Sequence, residues 1–242
     1  MKKLFFTFII INSLFLYGCS DKKDHMNSHQ KSESKVYESD KIYLTQIGLM
    51  RGHLYVGIEL YKNGHLDNAK RHMKHPKSEL YADIIPTFKA KGSSGFASEL
   101  EELALAVEDE KDFNLISIKY KNLTDAITVN ESYIKKSTES LNERISLVVS
   151  LLEVAAEEYA IGIVNGNVKN KFEYQDALGF TAIAKNILTN SVATNKEEVI
   201  KKDKVLLILD GLFYLWPSLV PDEKIAGDSK TILNAITKIN TI

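Results

Sequence analysis

The stretch SLNERISLVVSLLEVAAEEYAIGI, residues 140–163, decides the fold. Leu141, Ile145, Val148, Leu152, Ala155, Tyr159 and Ile163 recur at steps of three and four, which lays one apolar stripe along a helix. The helix is expected to stop at Asn165-Gly166. Working outward, the same spacing governs almost everything from Glu38 onward. Tyr43, Ile47, Met50, Leu54, Ile58 and Tyr61 form a second stripe ending at Asn63-Gly64. Shorter helices are predicted over Leu66–Met73, stopped by Pro76, and over Ser78–Lys91, closed by Gly92. Phe96–Glu108, Phe113–Lys135, Phe172–Val192, Glu197–Trp216 and Asp222–Ile239 follow, the last with Asp222 as its N-cap. No run alternates with period two. Four prolines and 12 glycines suit helices better than a turn-rich sheet protein. The fold class is all-α, a multi-helix bundle.

The first stripe belongs to a central helix. At 100° per residue, His53 falls beside Leu49, Gly57 and Leu60, while Glu59 shares another side with Gly48, Gly52 and Tyr55. Apolar or small residues thus cover nearly the whole circumference, and Gly48 and Gly52 let a neighbouring helix come close. His53 and Glu59 lie about 9 Å apart along the axis and about 120° apart in azimuth, so they do not share one ion unaided. Hydrogen-bonded within the bundle, they are simply buried polar groups with partners.

Two clusters carry candidate chemistry. His53, His65, His72 and His75 lie close together in the chain, and no histidine follows them. His72 and His75 are three apart, the spacing two ligands of one metal need, and Glu79 follows. The candidate metal ligands are His53, Glu59, His72, His75 and Glu79. Imidazole with thioether suits copper, which Met50 near His53 would supply; imidazole with carboxylate suits iron, zinc or manganese. Lys70, Arg71 and Lys74 work against a cation there, and His65 reads as a loop residue. The second cluster is Glu157, Tyr159, Glu173, Tyr174 and Asp176, with Glu158 beside them. A helical hairpin would bring these toward one end. There they bind a cation, or serve as N-terminal acids favoured by the helix dipole.

At the N-terminus, Met1-Lys2-Lys3, an apolar run from Leu4 to Tyr17, and Gly18-Cys19 make a secretory signal. The run is shorter than the roughly 20 residues a membrane span needs. Cys19, the only cysteine, stands where the lipobox of bacterial lipoproteins has its lipidated residue. That resemblance implies a signal peptide over 1–18, lipidation at Cys19 and a membrane-anchored protein on the periplasmic side of the inner or outer membrane, or at the cell surface in a Gram-positive host. Residues 19–38 read as a disordered tether holding His25 and His29, and 39–242 as the helical domain. A single cysteine also excludes an internal disulfide. With 31 basic and 32 acidic side chains, net charge −1, nothing points to nucleic acid.

The segment Val154–Tyr159, Asn165-Gly166 and Phe172-Glu173-Tyr174-Gln175-Asp176-Ala177-Leu178-Gly179-Phe180 resembles the helical extracytoplasmic domain of iron-permease-type proteins. It is more distantly similar to imelysin-like periplasmic proteins. Gly48–Tyr81 is similar to a family of exported proteins of unassigned activity. The resemblance implies an exported bundle that handles iron or another metal beside a membrane permease or metal-handling partner. The chain departs from both patterns. The imelysin Gly-x-His-x-x-Glu is absent, since Gly52 directly precedes His53 and Val56 follows three later. The permease Arg-Glu-x-x-Glu is absent too. No nucleophile–base motif is present, so binding of iron or copper without catalysis is expected. The alternative is a structural or protein-interaction lipoprotein with no metal.

Overall fold

Apolar residues spaced three and four apart run through most of the chain, and most of it is helical. The computed structural model describes the backbone of residues 27–133 and 140–242 and the side chains from Asp40 onward. The signal, Cys19 and His25 lie outside the described residues. The chain divides at Lys35, and Val36–Ile242 forms one compact unit.

Helix α1 spans Asn27–Lys62 and α2 Leu66–His75; α3 is Ala82–Lys91, α4 Ala97–Glu108 and α5 Phe113–Glu131. Helix α6 is Leu141–Gly162, α7 Lys171–Thr189, α8 Lys196–Asp210 and α9 Lys230–Ile239. The all-α reading holds. No helix among the described residues is long and apolar enough to cross a membrane. The first turns of α1 run through residues read as tether, where no glycine or proline stands from Asn27 to Ile47.

Ser140 caps α6 with a reciprocal bond to Glu143, and Gly92 ends α3 at φ +71, a conformation that favours glycine. Pro76 does not end its helix. A π-helical turn, Pro76–Tyr81, carries the chain from α2 straight into α3. Pro76 stands at the start of that turn, where a residue with no N–H to donate is tolerated. Asn165 and Gly166, at φ 52 and 71, form the tight turn of a two-residue hairpin, β1 (Ile163–Val164) and β2 (Asn167–Val168).

Asp222 is no N-cap, and the last helix starts later than its sequence pattern suggests. The backbone after it pairs with the hairpin instead: Val168 N donates to Glu223 O at 3.0 Å and Ile225 N to Gly166 O at 3.0 Å. Those bonds, with Ile225 buried, outweigh the helical periodicity.

Two apolar clusters result. One joins α6, α7, α8 and α9 around Leu151, Leu152, Tyr159, Tyr174 and Trp216. The other gathers α1 to α5 around Ile47, Met50, Leu54, Phe88, Leu103 and Leu123. Each fully buried leucine contributes about 1.5–3 kcal/mol. Helix α1 lies against the C-terminal bundle through its glycines. Gly48 abuts Leu151, and a methyl group on Gly52 would strike Phe180. A methyl on Gly179 of α7 would strike the Gly52 carbonyl. The close approach expected of Gly48 and Gly52 is therefore real, and it brings His53 of α1 to α7.

Candidate metal centre

His53 follows Gly52 at the close crossing of α1 and α7, so its imidazole projects onto α7. His72 and His75 lie one turn apart on α2, on the face that α2 buries. Asp176 comes from α7, three residues before Gly179. Spacing alone pairs His72 with His75; only the helix crossings bring His53 and Asp176 to them.

Each of the four residues offers one ligand atom, and these atoms lie within 4.8 Å of one another. His53 Nδ1 is 2.5 Å from Asp176 Oδ1, and His72 Nδ1 is 3.0 Å from the same oxygen. His75 Nδ1 is 3.9 Å from Asp176 Oδ2. The imidazole centroids are 5.2 to 6.2 Å apart. Side-chain exposure is 6% for His53, 0% for His72, 11% for His75 and 3% for Asp176. Phe180 closes one flank, its ring 5.1 Å from that of His53.

Close as they are, these atoms are not aligned as hydrogen bonds. Nδ1 of each histidine and Oδ1 of Asp176 are buried without a hydrogen-bond partner. A buried polar atom left unpartnered costs about 1–3 kcal/mol, so four in one place call for a common partner. Three imidazole nitrogens and one carboxylate oxygen form a donor set that suits zinc, iron, copper or manganese.

The electrostatics favour the same use. Burial pushes the Asp176 carboxyl up, but the His53 and His72 imidazoles outweigh it and hold the group well below the usual carboxylate range. His75 is pushed down to about 4, first by burial and then by His53 beside it. Near neutral pH the site thus offers a carboxylate and, at His75, an uncharged imidazole. The basic residues flanking α2 are compensated in part: Lys70 pairs with Glu110 at 2.6 Å and Lys74 with Glu108 at 2.8 Å. Arg71 stacks 3.9 Å over the Phe172 ring.

The remaining candidates separate. Glu79, on the π-helical turn, reaches only to 3.8 Å from His75 Nε2 and is 57% exposed. It sits with His75 at a surface groove of about 490 Å³. Glu59 is half-buried on another side of α1, where its charge acts on Tyr55 and Tyr120. Neither belongs to the four-residue group. His65 is exposed ahead of α2.

The second cluster does not form one site. Glu157 is exposed. Tyr159 and Tyr174 are core residues whose hydroxyls donate to Leu215 O at 3.3 Å and Ser218 O at 2.9 Å. Glu173 accepts from Asn170 Nδ2 at 2.9 Å, and it faces Glu158, whose carboxyl is pushed up to about 8 by burial and by Glu173. Asp176 leaves that group to join the histidines.

Sequence reading passed over Gln175. It is fully buried. Its Oε1 lies 2.9 Å from His72 Nε2, and its Nε2 donates to Leu219 O at 3.0 Å. The signal was an adjacent polar pair, Gln175-Asp176, inside an otherwise apolar helix face.

Residues 135–242 match the family model of the iron permease-associated 4-helix bundle domain. The match spans α6 to α9 and includes Asp176; His53, His72 and His75 lie before it. No curated protein and no solved structure matches the chain.

Proposed function

We propose that this protein binds a transition-metal ion, iron or copper, through His53, His72, His75 and Asp176. It does so as a lipid-anchored extracytoplasmic protein that serves a membrane permease. One observation carries the metal reading: three imidazole nitrogens and a carboxylate oxygen converge, buried and without hydrogen-bond partners. A bound cation supplies the positive charge that the Asp176 carboxylate and the three lone pairs would otherwise lack. The protein's own groups do the rest: Phe180 limits water, and Gly52 and Gly179 bring the ligand-bearing helices together. His75 and Glu79 give the site its way to solvent. Such a site would retain an ion rather than act on a substrate.

The iron-permease association of the C-terminal bundle supports iron as the ion and a permease as the partner. The lipobox at Cys19 supports the anchor, since Gly18-Cys19 follows an apolar run led by two lysines.

The test is metal analysis of untagged protein, purified and then dialysed against iron(II), copper(II), zinc(II) or manganese(II) in turn. Near-stoichiometric retention of one ion, lost in His72→Ala/His75→Ala, is the expected result. Retention of none would sink the reading. For the anchor, Cys19→Ser should release the protein from the membrane fraction.

A further inference from the structure

We propose that Gln175 is the positioning residue of this site, holding His72 in the tautomer that turns a bare Nδ1 toward Asp176. The inference rests on the metal reading above and goes beyond it by naming the group that sets the affinity.

The orientation of the Gln175 amide is decided by its second partner. Leu219 offers a carbonyl oxygen, which only accepts, so the amide nitrogen faces Leu219 and the amide oxygen faces His72. An amide oxygen also only accepts. His72 Nε2 must therefore carry a hydrogen, and in the neutral ring Nδ1 keeps its lone pair. Nδ1 itself lies 3.0 Å from Asp176 Oδ1, so an ion held between the two would meet that lone pair. Consecutive residues of α7 thus address the two nitrogens of one imidazole. Gln175 takes the donor side and Asp176 stands at the ligand side.

Leu219 is itself held. Trp216 Nε1 donates to Tyr174 O at 2.9 Å, and the Tyr174 hydroxyl donates to Ser218 O at 2.9 Å. The segment carrying Leu219 is pinned to α7 on both sides of Pro217. His72 and Gln175 are both fully buried, so the amide oxygen is the acceptor at hand for His72 Nε2. Outer partners of this kind orient a ligating histidine and raise its basicity, and their loss weakens metal binding about 10- to 100-fold.

Two substitutions separate positioning from packing. Gln175→Leu removes the acceptor opposite His72 Nε2 and the donor to Leu219. Gln175→Glu keeps an acceptor opposite His72 Nε2, loses the Leu219 bond and adds a buried carboxyl, which destabilises the metal-free fold without removing the acceptor. Zinc(II) affinity, the visible absorption of bound cobalt(II) and the melting temperature of the metal-free form are measured for each. The expected result is zinc(II) binding weakened about 10- to 100-fold in Q175L, with an altered cobalt(II) spectrum. Q175E should bind within a few-fold of the parent although its metal-free form melts lower. If Q175L does not fold, Gln175→Asn, which withdraws the amide from His72, takes its place with the same expectation. Equal affinity and spectrum in Q175L, or in Q175N where it stands in, would overturn the proposal and leave Gln175 a packing residue. Failure of the parent itself to take up zinc(II) and cobalt(II) would overturn the metal reading as well, a result distinguishable because no variant is needed to see it.

Discussion

Nδ1 of His53 lies 2.5 Å from Oδ1 of Asp176, across the crossing of α1 and α7. The contact joins the histidine-bearing N-terminal helices to the bundle that matches the iron permease-associated domain. Asp176 is the one carboxylate of the four-residue group, so it supplies the negative charge of the proposed site. Asp176→Asn keeps the shape and removes the charge. Zinc(II) or iron(II) affinity should fall at least about 100-fold, about 2.7 kcal/mol, in competition titrations.

The site's membership is testable by contrast. His72→Ala/His75→Ala should abolish retention. Glu59→Gln should leave affinity unchanged, because Glu59 faces Tyr55 and Tyr120 instead. Loss of binding in E59Q would redraw the site around α1.

Metal should stabilise the fold, since the ligand atoms converge only in the folded state. An ion at about 100 times its dissociation constant adds about 2.7 kcal/mol. For a chain of this size that is roughly 5–10 °C in melting temperature. Differential scanning fluorimetry with and without chelator reads it, and an unmoved midpoint argues against a site formed on folding.

Glycine contact at the crossing has a steric consequence. In Gly179→Ala the new methyl strikes the Gly52 carbonyl, and the helices must part. A cost of about 1–3 kcal/mol in chemical denaturation is expected, with weaker metal binding because His53 and Asp176 separate. Unchanged affinity would mean that the crossing does not position the ligands.

Glu158 gives the protein a pH dependence apart from the histidines. Its folded-state pKa is raised to about 8, by burial first and then by Glu173. The folded state therefore binds more protons than the unfolded chain between its ordinary value and about 8, and stability falls as pH rises through that window. His75 acts oppositely at lower pH, its folded value being depressed to about 4. From pH 6.5 to 8, above the ordinary histidine value, the metal-free parent should lose stability relative to Glu158→Gln. Parallel melting curves of the two proteins over that range would remove Glu158 as the cause.

Three residues of the four-residue group are legible in the sequence as candidate ligands. His53, His72 and His75 stand out as the histidines nearest one another in a chain that has none afterwards. Asp176 was visible too, but among the acids of its own hairpin, because nothing local relates it to a helix so far back in the chain. Glu59 and Glu79 carried suitable chemistry at suitable spacing and lost on direction and reach. Gln175 was hidden because an amide has no charge, and its role exists only when Leu219 and His72 lie on either side of it.

Sequence alone determined the helices, because apolar spacing at three and four residues is a local property that each segment carries by itself. It also determined the stops at Gly92 and the start at Ser140, where backbone conformation and capping depend on neighbours in the chain. Tertiary structure decided the rest. Pro76 runs on through a π-helical turn instead of ending its helix, and the segment after Asp222 stays out of a helix because the distant hairpin supplies its backbone bonds. The centre itself arises where two glycines allow α1 and α7 to touch. Convergence of His53, His72, His75 and Asp176 depends on that crossing, and helical periodicity does not encode which glycine meets which.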